Sequence, residues 1–225
     1  MTVHMFREID RLKKDVLALG ATVEESVERA ARAVIERDAK QAALVLDMDD
    51  EIDAREVDIE EECLKILALH QPVAVDLRFI VAVLKINSDL ERIGDLSVNI
   101  AKQARTLASR DPLAFPFDFA GMASKSQKML KSALDALVNM DAVLAKGVCA
   151  ADDEVDEINR KMFAKVEDSI RADIERLDDW IRLFAISRNM ERIADHATNI
   201  AEDVIYMTAG EIVRHRVRSY EVEGE

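Results

Sequence analysis

The chain reads as a succession of amphipathic helices. From about Met5 to Arg37, apolar residues recur at three- and four-residue steps (Phe6, Ile9, Leu12, Val16, Leu19, Val23, Val27 and Val34), the spacing that lines up one face of a helix. Gly20 interrupts the stripe at a cost of about 1 kcal/mol relative to Ala, which packing along a long helix can absorb. Asp38 stands where the cap of a second helix belongs. That helix runs to about Leu69, with Leu44, Met48, Ile52, Ile59, Cys63 and Ile66 on one side. His70-Gln71-Pro72 breaks it, because proline has no N–H and restricts the residue before it. A third helix is predicted from about Val75 to Ser109. Residues 110–121 hold two of the three prolines and read as a linker, with Phe115, Phe117 and Phe119 tucked onto a neighbouring surface. Three more helices follow: about Met122 to Ala145, ending at Gly147; about Ala151 to Ile174; and about Leu177 to Thr208, stopping at Gly210 before a short tail with Arg214, His215, Arg216 and Arg218.

The two halves of this pattern match each other. Residues 86–101 read INSDLERIGDLSVNIA and residues 186–201 read ISRNMERIADHATNIA, with eight of sixteen positions identical at an offset of 100. Asp49-Asp50-Glu51-Ile52-Asp53 matches Asp152-Asp153-Glu154-Val155-Asp156 at an offset of 103, which places a three-residue length difference in the connection between the second and third helix of each half. Two matches in the same order imply a duplicated unit. Three long amphipathic helices per unit can bury their stripes against one another. The expected fold is all-α: six long helices in two tandem three-helix bundles over residues 1–110 and 121–225, joined by a linker at 111–120.

Each repeated block carries two carboxylates four residues apart: Asp49 and Asp53, Glu91 and Asp95, Asp152 and Asp156, Glu191 and Asp195. That spacing puts both on one helix face, where like charges repel by about 0.2–0.5 kcal/mol in an isolated helix. In the third helix Ile86, Leu90, Ile93 and Ile100 form the apolar stripe, and Glu91 and Asp95 point away from it, with Asn99 and Asn199 one turn further along. If the second and third helices of a half are neighbours, two pairs converge into four acids. Such a group calls for a cation, and hard oxygen ligands suit Fe, Mn, Mg or Ca. The ordinary reading of any one pair is a solvated helix face, since Glu24 and Glu28, Glu56 and Glu60, and Asp58 and Glu62 share the spacing. Recurrence in both halves is what sets the four pairs apart. Arg92 and Arg192 also recur, as partners in ion pairs or as contacts to a partner's acids. His196 follows Asp195, but its counterpart is Leu96, so it reads as a packed or surface residue.

Composition narrows the chemistry. A net charge of −14 repels phosphate backbones and anionic lipid, so nucleic acid and direct membrane insertion are not expected. Cys63 and Cys149 form no metal-type spacing, which fits a reducing cytoplasm, and the nine Met residues sit mostly at core spacing. There is no Gly-rich phosphate loop, nucleophile elbow, Zn motif or Glu-x-x-His. A non-enzyme is expected, with no cofactor required for catalysis.

Several stretches resemble the PhoU family of phosphate-signalling regulators: His70-Gln71-Pro72-Val73-Ala74-Val75-Asp76-Leu77-Arg78, then Leu90-Glu91-Arg92-Ile93-Gly94-Asp95, then Arg188 to Tyr206 with its ERIADHATNIAEDV core, and the closing Gly210 to His215. The resemblance implies two three-helix bundles related by a pseudo-twofold axis, in a cytoplasmic, often dimeric protein. It implies a negative regulator of the phosphate-starvation response and of phosphate uptake, an adaptor between the ATPase subunit of a phosphate ABC transporter and a sensor histidine kinase. It also implies multinuclear metal clusters, iron or zinc, at Asp49, Asp53, Glu91, Asp95, Asp152, Asp156, Glu191 and Asp195. The competing expectation is a carboxylate-bridged metal store or metalloenzyme using the same residues, with Fe, Mn or Mg as the other candidate ions.

Overall fold

The computed structural model describes residues 3–210. They form six long helices: α1 Val3–Ile35, α2 Ala39–His70, α3 Ala74–Ala108, α4 Phe119–Asn139, α5 Ala142–Ala172 and α6 Leu177–Ala209, with a 3-10 turn at Ile174–Arg176 before α6. No strand occurs among the described residues. The basic tail and the end of the closing Gly210–His215 stretch lie outside them.

Helices α1, α2 and α3 pack on one another, as do α4, α5 and α6, and the most extensive contact of all joins α3 to α6. Lys85, near the start of α3, reaches Asp203 near the end of α6 (3.2 Å), while Arg182, near the start of α6, donates to Gln103 near the end of α3 (2.6 Å). The two helices therefore run antiparallel, as in a twofold relation whose axis lies across them. Gly20 of α1 lies where a Cβ would come within 2.8 Å of Leu134 Cδ2 on α4, so its missing side chain lets the two first helices approach. The core is continuous and includes Leu12, Leu19, Ile52, Ile66, Ile86, Leu90, Ile93, Met122, Leu130 and Met162.

The helix ends repeat as the helices do. Arg37 and Met140 both take a left-handed backbone, and Asp38 and Asp141 follow them as caps, accepting from Lys40 N and Gln41 N and from Val143 N and Leu144 N. This capped turn corrects the sequence reading of the second half. Helix α4 ends at Asn139 rather than near Ala145, and α5 begins at Ala142 rather than Ala151. Gly147 falls inside α5 and ends nothing. At the other boundary α4 already begins at Phe119, because Asp118 accepts from Gly121 N and starts the helix inside the stretch read as linker. Two stripe residues also move. Phe6 and Leu44 are exposed, and Met5 and Val45 are buried in their place, one position round the helix. The linker phenylalanines do pack, Phe115 stacked on Phe119 at 5.1 Å and Phe117 edge-on to Phe115 at 5.6 Å. Arg37 donates to the carbonyls of Leu107 and Arg110, and Arg176 to those of Asp111 and Pro112, which ties the linker to both halves.

Candidate metal centre

The four acidic pairs come together two by two. Helices α2 and α3 pack antiparallel, so Asp49 and Asp53 face Asp95 and Glu91 across one seam. Burial raises the Asp49 carboxyl above its ordinary value, and Asp53 and Asp95 raise it further, against the pull of Lys102. Glu91 is raised by burial and by Asp95, with Arg92 opposing and Asp53 and Glu56 adding to the rise. The α5–α6 seam repeats the arrangement more tightly. One carboxylate oxygen from each of Asp156, Glu191 and Asp195 lies within 4.8 Å of the others, the one group of such closeness among the described residues. Asp152, one turn from Asp156, is pushed up to about 6 by burial and then by Asp195 and Asp156. Glu191 is raised by burial and by Asp195, with Arg188 opposing. Asp195 is raised by the protein packed round its carboxyl and by Asp156.

Asp53 and Asp195 are exposed, as on a solvated helix face, but Glu191 and Asp152 are not. Glu191 is 7% exposed. Its Oε1 accepts from Asn159 Nδ2 at 3.0 Å and Arg188 Nη1 at 2.8 Å, while its Oε2 is buried without a hydrogen-bond donor. Asp152 Oδ1 is likewise buried without one. A buried carboxylate oxygen left in this state costs free energy unless a proton or a cation meets it. An all-oxygen set of carboxylates fits a hard cation: Mg, Mn or Fe by ligand type, and Zn through its carboxylate chemistry. Asp156, Glu191 and Asp195, with Asp152 beside them, would hold it between α5 and α6. Asp49, Asp53, Glu91 and Asp95 would hold its counterpart between α2 and α3.

Several contributors are absent from the sequence reading. Glu56 joins the first seam, its carboxyl raised by burial, by Glu60 and by Asp53. Asn87, 1% exposed, donates to the Glu56 carbonyl at 2.8 Å and to Glu56 Oε1 at 3.2 Å. Asn159 is the matching residue of the second half. The signal was present: Asp49, Asp53 and Glu56, like Asp152, Asp156 and Asn159, follow the i, i+4, i+7 rhythm of one helix stripe. Arg92 proves to be an intrahelical partner, with Nη1 3.2 Å from Asp95 and Nε 3.5 Å from Glu91. His196 packs between the halves, its Nδ1 2.7 Å from Asp89 Oδ1, which also accepts from Asn199 at 3.2 Å.

Comparison with known proteins agrees with this architecture over nearly the whole chain. The family model for the PhoU domain matches twice, at residues 16–104 and 119–204. A phosphate-specific transport system accessory protein PhoU homolog from Aquifex aeolicus is 37% identical over 212 residues, covering 94% of this chain and 96% of that protein. A homolog of the same description from Pseudomonas aeruginosa is 37% identical over 210 residues, covering 92% and 86%. The crystal structure of PhoU from Pseudomonas aeruginosa superposes with a TM-score of 0.88 at 36% identity, over 91% of this chain and 99% of that one. The phosphate transport system regulatory protein PhoU from Streptococcus pneumoniae does so with 0.84 at 29% identity, over 93% and 99%.

Proposed function

We propose, since the chain belongs to the PhoU family, that it is an accessory protein of a phosphate-specific transport system and a negative regulator of phosphate uptake and of the phosphate-starvation response. In this reading it is a cytoplasmic, dimeric, non-catalytic adaptor between the transporter's ATPase subunit and a sensor histidine kinase. The observation that carries it is the double family match across both halves, on a fold whose most distinctive residues are the repeated acidic blocks. The relatives are named for the transport system, which supports the partner class. The charge of −14 favours basic protein surfaces over nucleic acid or anionic lipid. No helix among the described residues is long and apolar enough to cross a membrane.

The acidic seams give the adaptor its internal device. A bound cation would supply charge neutralisation where four acids meet. Asp156 on α5 and Glu191 and Asp195 on α6 would then bind two helices that otherwise repel across the seam, and α6 passes that constraint to α3 through their shared interface. His196, beside Asp195, reaches directly across to Asp89. The docking face would thus be set by helix geometry rather than by a chemical step. Deletion of the gene in its native host, with transcription of phosphate-responsive genes measured at high phosphate, tests the regulator. Derepression in excess phosphate, reversed by the wild-type gene, is the expected outcome; unchanged transcription contradicts it. A phosphatase and oxidase screen of cation-loaded protein separates this reading from a metalloenzyme, for which turnover lost on Glu91→Ala would be required.

A further inference from the structure

The duplicated seams differ in one respect that the repeat conceals: what sits on their acids. In the α5–α6 seam, Arg188 and Asn159 both bind Oε1 of Glu191 and leave Oε2 buried without a donor, in a carboxylate that has one oxygen within 4.8 Å of oxygens of Asp156 and Asp195. Arg192 is exposed, as its counterpart Arg92 is, and its charge acts on Asp195 without a contact of the ion-pair length that Arg92 makes to Asp95. One oxygen of Glu191 is therefore occupied by donors and the other is left open. In the α2–α3 seam the arginine contacts both acids of its own helix. The Arg92 guanidinium links Asp95 and Glu91, the two acids that would otherwise face an incoming ion. Its side chain is 57% exposed, and an exposed ion pair of this kind contributes little, so swinging it out is cheap.

Behind Arg92 the first seam is the more acidic. Glu56 stands where the second half has Asn159, which gives five carboxylates (Asp49, Asp53, Glu56, Glu91 and Asp95) against four. Asn87 holds the Glu56 carboxylate on the seam by donating to Oε1 and to the Glu56 carbonyl. The Asn87 Oδ1 is itself buried without a hydrogen-bond partner, in the side chain whose Nδ2 holds Glu56. Position 187 is a serine whose hydroxyl turns instead to Met122 Sδ, at 3.2 Å.

We propose that the two seams load unequally: the α5–α6 seam takes up a hard divalent cation first, and the α2–α3 seam is gated by Arg92 and adds Glu56 to its ligands once that arginine withdraws. This rests on the reading of the seams as cation sites. The test is a titration of the full, chelator-treated chain with Mn²⁺, following the EPR signal of the free ion. Wild type should show a tight and a weaker class of sites. Glu191→Gln should weaken the tight class about tenfold or more, the scale of loss when a metal ligand or its support is removed. Arg92→Gln should leave the tight class unmoved and tighten the weaker one by a few-fold, a gain that misfolding cannot imitate. Glu56→Gln should weaken the second class alone. A single class in wild type, a tight class that survives Glu191→Gln, or a second class indifferent to Arg92→Gln overturns the proposal while leaving cation binding standing. Wild type that binds no Mn²⁺ at millimolar concentration brings down the cation reading of both seams as well.

Discussion

Asp152 carries the electrostatic cost of the second seam in its clearest form. Its carboxyl, pushed up to about 6 by burial and by Asp195 and Asp156, titrates near 3.8 in the unfolded chain. A carboxyl raised on folding favours the folded state most below its unfolded value, and that contribution is lost as pH rises through about 6. Asp152→Asn should therefore stabilise the chelator-treated protein at pH 7, by on the order of 1 kcal/mol, with the gain shrinking towards pH 4. Urea denaturation at the two pH values checks it, and in saturating Mn²⁺ the order should reverse, wild type becoming the more stable. The sequence made Asp152 and the other seven acids visible because each pair recurs at a fixed offset. Glu56 and Asn159 continue the same helix stripe but differ in chemical type, so recurrence of like residues passes over them. The burial of Glu191 was illegible for a different reason. It depends on how closely α5 covers α6, a tertiary property that helix periodicity does not encode.

At the scale of elements, the two halves solve one packing problem in two ways. A Cβ on Gly94 would lie 3.1 Å from Ile52 Cγ2 and 3.2 Å from Ile52 Cδ1, so α2 sits against bare backbone on α3. The matching residues of the second half are Ala194 and Val155: a methyl group is added on one helix and removed from the other. Gly94 thus serves close approach more than chain flexibility. Gly94→Ala should destabilise, overpacking of about 1–3 kcal/mol outweighing about 1 kcal/mol of gained helix propensity, and adding Ile52→Val should recover most of the loss, a coupling that a double-mutant cycle by urea denaturation measures. Independent effects of the two changes would contradict this. The helices themselves were legible from apolar spacing, and the breaks at Pro72 and Gly210 from residue type. The α4–α5 boundary was not, because its turn carries neither glycine nor proline. Met140 takes the left-handed conformation that Arg37 takes in the first half, and the cap that follows is one aspartate among many.

At the scale of the whole molecule, α3 and α6 are both the third helix of their own bundle and the seam between bundles. Their shared face carries Lys85–Asp203, Asp89–His196 and Gln103–Arg182 along its length. Residues 1–110 and 121–225, proposed as the two units, should consequently behave as sticky halves. Expressed separately, each exposes the α3 or α6 face, and on mixing they should form a one-to-one complex by size-exclusion chromatography with light scattering; halves that remain monomeric and ignore each other would show that the inter-bundle face contributes little. The duplication was legible in the sequence, whereas the antiparallel α3–α6 pairing was not, since nothing in an amphipathic stripe says which helix will cover it. The claim on which the rest depends is that the duplicated acidic blocks are cation sites built between helices. Anomalous X-ray scattering from crystals grown with Mn²⁺ tests it most directly. The expected result is an anomalous peak bounded by Asp156, Glu191 and Asp195, with a weaker one among Asp49, Asp53, Glu56, Glu91 and Asp95. Anomalous peaks confined to other surface carboxylates, or none at either seam, would contradict it.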